Sequence, residues 1–257
     1  MSDDTIREFV VQLLIHLDIL IIPKAIKQHY SSSDVYFVPC MIKDSKPTTF
    51  YSLDSQGERT IFLRYSLARH SIPTALAYKI IGGAINAWPL KDESHKPCLY
   101  HKAAVLNVSE DNQLRILIDK NQVMLYMTNR TSLLSISPDV VASVQECLTK
   151  NLQSSLLFHY NSFGRKIKPT NLSDLYKIEV GIQCGSDVCF KSSPDAMTID
   201  SWRCRNGKEH QTKYLRYWTF NKVRRRLIKR HDVLCWIIDY IIKLVSIDLT
   251  FMRQQRC

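Results

Sequence analysis

The sequence predicts an α+β fold, with helices gathered on one face of a sheet. Three observations predict it. A strand-like run, a helix, a three-strand alternation and a second long helix follow one another in that order. Apolar residues make up 45% and charged residues 23% of 257 residues, enough for a packed core rather than a disordered chain. Glycine is scarce at 7, which disfavours a turn-rich architecture or a glycine-rich phosphate cradle.

Residues 3–20 carry Ile6, Phe9, Val10, Leu13, Leu14 and Leu17 at three- and four-residue steps. That spacing predicts an amphipathic helix, capped by Asp3 or Asp4 and ended before Pro23. Tyr36-Phe37-Val38-Pro39-Cys40-Met41-Ile42 reads as an edge strand that tolerates Pro39. Helix, loop and such a strand together read as the end of a winged-helix module over residues 1–48. The stretch 44–58 is polar and rich in turn formers, and reads as a boundary.

The second region spans 56–160. Thr60 to Leu67 is strand-like. Ile72-Pro73-Thr74 opens a helix, because a proline near the first turn sacrifices no intrahelical bond. Leu76, Ile80, Ala84, Ile85 and Trp88 share one face of it. Gly82-Gly83 lies inside this helix; without a following Gly-Lys-Ser/Thr it reads as close helix packing, not a phosphate loop. Alternation from Leu99 to Val108, through Leu114, Ile116 and Ile118, and through Val123, Leu125 and Met127 predicts a meander turning at Asp111-Asn112 and Lys120-Asn121. Pro138-Asp139 then opens a helix with Val140, Val141, Val144, Leu148, Leu152 and Leu156 on its apolar face. Tyr176 to Cys184 reads as a last strand, running into a Cys/His-containing segment over 174–220.

Charge divides the chain unevenly. Residues 202–257 hold 14 Lys and Arg against 4 Asp and Glu, whereas the preceding 201 residues are nearly neutral despite an overall charge of +11. The main body is therefore not expected to bind nucleic acid. The excess centres on Lys222-Val223-Arg224-Arg225-Arg226-Leu227-Ile228-Lys229-Arg230, the start of a basic amphipathic tail over 221–257. Val233, Trp236, Ile237, Tyr240, Ile241, Leu244 and Val245 form a helical stripe there, interrupted by Asp239, Lys243 and Asp248. Those charges argue against a membrane span. The stripe packs on its own domain, or Arg224, Arg225, Arg226, Lys229 and Arg230 attract anionic lipid, nucleic acid or an acidic partner.

Met1-Ser2-Asp3-Asp4 is acidic where a secretory leader would be basic, so a cytoplasmic location with reduced thiols is expected for the 8 cysteines. Sequons at Asn107, Asn129 and Asn171 then carry no weight. Among reactive groups, Cys184-x4-Cys189 and Cys204-x5-His210 stand out. Three thiolates and an imidazole are a donor set that Zn²⁺ takes in a tetrahedral structural site. The alternative is a set of separate buried or surface thiols. Gly-x-Ser-x-Gly is absent. Cys98 and Cys147 read as packing residues, and His16 and His159 as core-edge histidines. No catalytic or cofactor-binding residue is assigned.

Four stretches in order resemble the COR region (C-terminal of Roc) of Roco-family proteins. Leu13 to Leu20 followed by Tyr36 to Met41 resembles the end of the winged-helix part of COR. Ile72-Pro73-Thr74-Ala75-Leu76 looks like the family's Pro-x-x-Leu/Phe opening of its next helix. Trp88-Pro89-Leu90 with Leu99-Tyr100-His101-Lys102 is similar to the strand that follows. Cys184, Cys189, Cys204 and His210, ending at Trp218, resemble a Cys/His module found after COR in many animal members. The resemblance covers about residues 5–220. It implies a COR-type sheet with flanking helices, a homodimer, and docking to a Roc-type GTPase domain in cis or trans. The chain departs from full-length relatives in carrying neither a Roc phosphate loop nor kinase motifs. The function expected is thus non-catalytic interaction and dimerisation. The competing reading is a fragment of a nucleotide-dependent enzyme whose catalytic domain lies outside this chain.

Overall fold

The computed structural model describes residues 3–16, 20, 36, 38, 41–47, 50, 60–68, 71–94, 96–162, 174–184 and 187–218. Helix α1 spans Asp3–His16, as the apolar spacing predicts; 17–19 lie outside the described residues, and Leu20, the expected last residue of the helix, is a bend. Tyr36, Val38 and Ile42 belong to no strand, which corrects the expected edge strand. Met41 instead donates its N–H to the Val38 carbonyl at 2.9 Å, closing a local turn. Pro39 gives the physical reason, since it withholds one of the N–H donors that a strand needs.

The body is a mixed α/β structure built on a seven-stranded antiparallel sheet, ordered β4-β5-β6-β7-β1-β8-β9. Its strands are β1 (Thr60–Leu67), β4 (Leu99–Tyr100), β5 (Ala103–Asn107), β6 (Asn112–Asp119), β7 (Gln122–Asn129), β8 (Tyr176–Cys184) and β9 (Asp187–Ser192). Two-residue β2 (Asp92–Glu93) and β3 (Lys96–Pro97) form a separate hairpin. The first meander strand is divided: His101-Lys102 turns the chain between β4 and β5, with Lys102 at φ 59°. The β6–β7 turn falls at Lys120-Asn121 as expected, with Lys120 at φ 48°.

Helices α2 (Thr74–Ala87) and α3 (Pro138–Ser162) lie against one another and against one sheet face. The core there contains Leu76, Ile80 and Ile85 of α2 and Val141, Val144, Leu148, Leu152 and Leu156 of α3. They meet Ile61, Leu63 and Tyr65 of β1, and Leu114 and Ile116 of β6. The alternate residues build a second, smaller core on the opposite face: Phe62, Ala103, Val105, Leu117 and Tyr126, with Phe50 and Cys98. There Arg64 pairs with Glu179 at 2.8 Å and lies 3.8 Å from the centre of the Phe190 ring. Asn129 is buried, donates to Asn112 and accepts from Thr131 and Ser132, so its sequon is closed in the folded chain.

Gly83 supports the packing reading of the glycine pair. A Cβ at this position would lie 2.2 Å from Nδ2 and 2.5 Å from Cγ of Asn151 on α3. That Nδ2 donates to the Ile80 carbonyl at 2.7 Å. Gly83→Ala gains about 1 kcal/mol of helix propensity. It must also displace Asn151, an overpacking cost of about 1–3 kcal/mol, and break its hydrogen bond for about 1 kcal/mol more. Urea denaturation is expected to show a net loss of about 1–3 kcal/mol. Adding Asn151→Ala should recover part of it, because the crowded group is then gone.

Strands β8 and β9 join the same sheet, with β8 paired to β1 from Leu67↔Tyr176 to Ile61↔Ile182. The Cys/His-containing segment is therefore built directly onto the sheet of the preceding region. After it come α4 (Ser193–Thr198), β10 (Ser201–Arg203), β11 (Glu209–Gln211) and a 3-10 turn at Leu215–Trp218. The Ser192 hydroxyl caps α4 by accepting the Asp195 N–H at 3.3 Å. Trp218 and Leu215 are fully buried in the main core. Among the described residues no helix is long and apolar enough to cross a membrane.

Candidate metal centre

Two hairpins bring Cys184, Cys189, Cys204 and His210 together, and the reason is the two-residue period of a strand. In the β8–β9 hairpin Cys184 faces Asp187 and Ile182 faces Cys189. Cys184 and Ile182 share a sheet face, so Cys184 and Cys189 are diagonal neighbours on that face. In the β10–β11 hairpin Trp202 faces His210, and Cys204 lies two residues beyond Trp202. Cys204 and His210 are thus diagonal neighbours of the same kind. A four-residue or five-residue separation suits a hairpin, whereas the tighter Cys-x-x-Cys spacing suits a single knuckle turn.

One donor atom from each of the four residues lies within 4.8 Å of the other three. The Sγ atoms of Cys184 and Cys204, from different hairpins, are 3.8 Å apart. Two sulfurs at about 2.3 Å from a shared tetrahedral ion would be about 3.8 Å apart, so this pair already has the separation of metal ligands. Cys184 and His210 are buried, and Cys189 and Cys204 half-buried. His210 leaves a buried Nε2 without a hydrogen-bond partner, an unfavourable state for a ring of two polar atoms. The four side chains could hold a metal ion.

The surroundings are arranged for a thiolate. The turn after Cys204 places Gly207 at φ 75°, a left-handed conformation that glycine adopts without strain. Within it the Cys204 N–H donates to the Lys208 carbonyl and the Gly207 N–H to the Cys204 carbonyl, both at 2.9 Å. Burial opposes ionisation of Cys204, but the Asn206 and Lys208 backbone N–H groups, His210 and Cys189 outweigh it and pull its thiol down to about 6. Cys189 moves the other way. Burial, and then the adjoining Cys184 and Cys204 sulfurs, push it up to about 12. The side chain of Asn206 donates to the Cys184 sulfur at 3.8 Å, and Trp202 leans on the His210 ring with centroids 5.1 Å apart.

The other residues singled out from the sequence do not join this cluster. Cys98 is buried in the smaller core and Cys147 is half-buried on α3. His159 sits in the last turn of α3, beside the Tyr160 ring. The side chain of His16 and the basic run with Arg224, Arg225, Arg226, Lys229 and Arg230 lie outside the described residues. Sequence reasoning passed over Asn206 and Gly207, which complete the site. A Cys-x-Asn-Gly turn between two ligand positions was the available signal. No protein-family model matches this chain, and a search of curated proteins returned no match.

Proposed function

We propose that this chain is a non-catalytic protein-interaction and dimerisation module of the COR type, acting in the cytoplasm. In this reading α1 closes a winged-helix part, the sheet with α2 and α3 forms the COR body, and the two hairpins hold a structural Zn²⁺. The module docks to a second copy of itself or to a Roc-like GTPase domain. The observation that carries the reading is the closed donor set: Cys184, Cys189, Cys204 and His210 supply four ligands within 4.8 Å of one another. Four protein ligands satisfy tetrahedral zinc and leave no position for a reacting water, so such a metal would hold structure. The exposed apolar side chains of α1, Ile6, Phe9, Val10 and Leu13, give the module a face to bury against a partner. Light scattering of the full chain, alone and mixed with a Roc domain, tests it. The expected result is a dimer or a one-to-one complex that Phe9→Asp disrupts. A chain that stays monomeric and ignores the Roc domain overturns the reading.

Zinc affinity should fall as pH falls. Cys189 keeps its proton up to about pH 12 in the metal-free cluster and must lose it to bind the ion. Each thiol proton that the ion displaces weakens binding by a further factor of about ten for each pH unit lowered. Below about pH 6 Cys204 also holds a proton, and the slope steepens. Competition against a chromogenic chelator at several pH values measures it; a flat profile would show that these thiols are not ligands.

A further inference from the structure

We propose that Cys184 and Cys204 are a redox modification site: hydrogen peroxide converts them to a reversible disulfide, which exchanges a metal cross-link between the hairpins for a covalent one. The two sulfurs are in contact at 3.8 Å and come from different hairpins, β8–β9 and β10–β11. Cys204 is half-exposed, so a small oxidant reaches it, whereas Cys184 is 5% exposed. The Asn206 amide, donating to the Cys184 sulfur, holds that sulfur beside Cys204. One member of the pair is accessible and the other is kept at contact distance behind it, the arrangement an attacking and a resolving thiol need.

The chemistry balances with peroxide as the sole oxidant. The Cys204 sulfur attacks one peroxide oxygen, the O–O bond breaks, and Cys204 sulfenic acid forms as water leaves. The Cys184 sulfur then attacks the Cys204 sulfur, the S–O bond breaks, and a second water leaves. Two thiols give up two electrons and two protons, and the peroxide is reduced to two waters. Two of the four donors are consumed, so Cys189 and His210 alone cannot retain a tetrahedral ion. The hairpins nevertheless stay tied at the point where the metal would tie them. The inference goes beyond the structural-zinc reading, because it depends on the placement of the sulfurs and not on which ion they hold.

The test adds one equivalent of hydrogen peroxide to the full chain, both stripped by a chelator and loaded with zinc. The metal-free chain should lose two thiols and two mass units. Peptide mapping without reductant should find Cys184 joined to Cys204, and dithiothreitol should reverse the change. Cys189→Ser should keep this cross-link and Cys184→Ser should lose it. The loaded chain should release one zinc for each disulfide formed. A chain that binds no zinc yet forms the Cys184–Cys204 bridge supports the switch while ending the metal reading. A Cys184–Cys189 bridge, bridges only between chains, or no bridge at all overturns the switch.

Discussion

Cys204→Ser should reduce bound zinc from one equivalent to less than about a tenth, since a hydroxyl is a poor replacement for one of the thiolates in a four-ligand site. Structural zinc sites in small peptides are worth about 10–16 kcal/mol of apparent binding free energy, and that energy is folding energy for whatever the ligands hold. Here the consequence is local. Strand β8 pairs with β1 along most of its length, so the sheet keeps it without metal. The β10–β11 hairpin has three residue pairs and would depend far more on an ion at the cluster. Trypsin should therefore cut the variant after the exposed Arg203, Arg205 and Lys208 much faster than the parent, while the β1–α3 region stays resistant. Cys98→Ser, in the smaller core, should leave zinc content unchanged. Elemental analysis with limited proteolysis reads both results; equal zinc in Cys204→Ser and the parent would end the metal assignment.

Trp218→Ala should be the most destabilising single change in the described core, at about 3–5 kcal/mol. Trp218 is 0% exposed, and its 3-10 turn packs against α3, β8, α4 and β1. Removing the ring opens a cavity where the last described element closes over the helix–sheet core. A domain of ordinary stability, about 5–15 kcal/mol, would lose a third or more of it. Trp218→Phe should cost clearly less, because it keeps most of the volume and removes an indole N–H that is buried without a hydrogen-bond partner. The midpoint of chemical unfolding measures both. A Trp218→Ala midpoint close to that of the parent would mean that the turn is not part of the cooperative core. The effect should also appear as weaker zinc retention, since the chain from His210 to Trp218 links the hairpin to that core.

Local pattern decided a large part of this protein. Strands β1 and β8 begin and end where alternation and turn residues place them, at Thr60–Leu67 and Tyr176–Cys184. The buried faces of α2 and α3 follow their three- and four-residue apolar steps. The four candidate ligands were legible because cysteine and histidine pairs near two turns are distinctive in any context. Those features depend on a few neighbouring residues, which a linear chain displays.

What the tertiary structure alone decided is which elements meet. Nothing local places β1 between β7 and β8, because antiparallel pairing depends on which distant apolar faces can be buried together. Strand β9, with Val188 and Phe190 alternating, and the three-residue β10 and β11 were too short or too polar to show as strands. Phe190 is accommodated because Gly181 opposite leaves room; a Cβ there would stand 2.8 Å from the ring. The candidate metal centre shows the same division. Residue type and spacing nominated Cys184, Cys189, Cys204 and His210, but the convergence of two separate hairpins depends on β8 being held by β1 and on Trp218 being buried in the shared core. Burial of distant surfaces is a property of the whole chain, and it brought two sulfurs 20 positions apart in the sequence to a 3.8 Å contact.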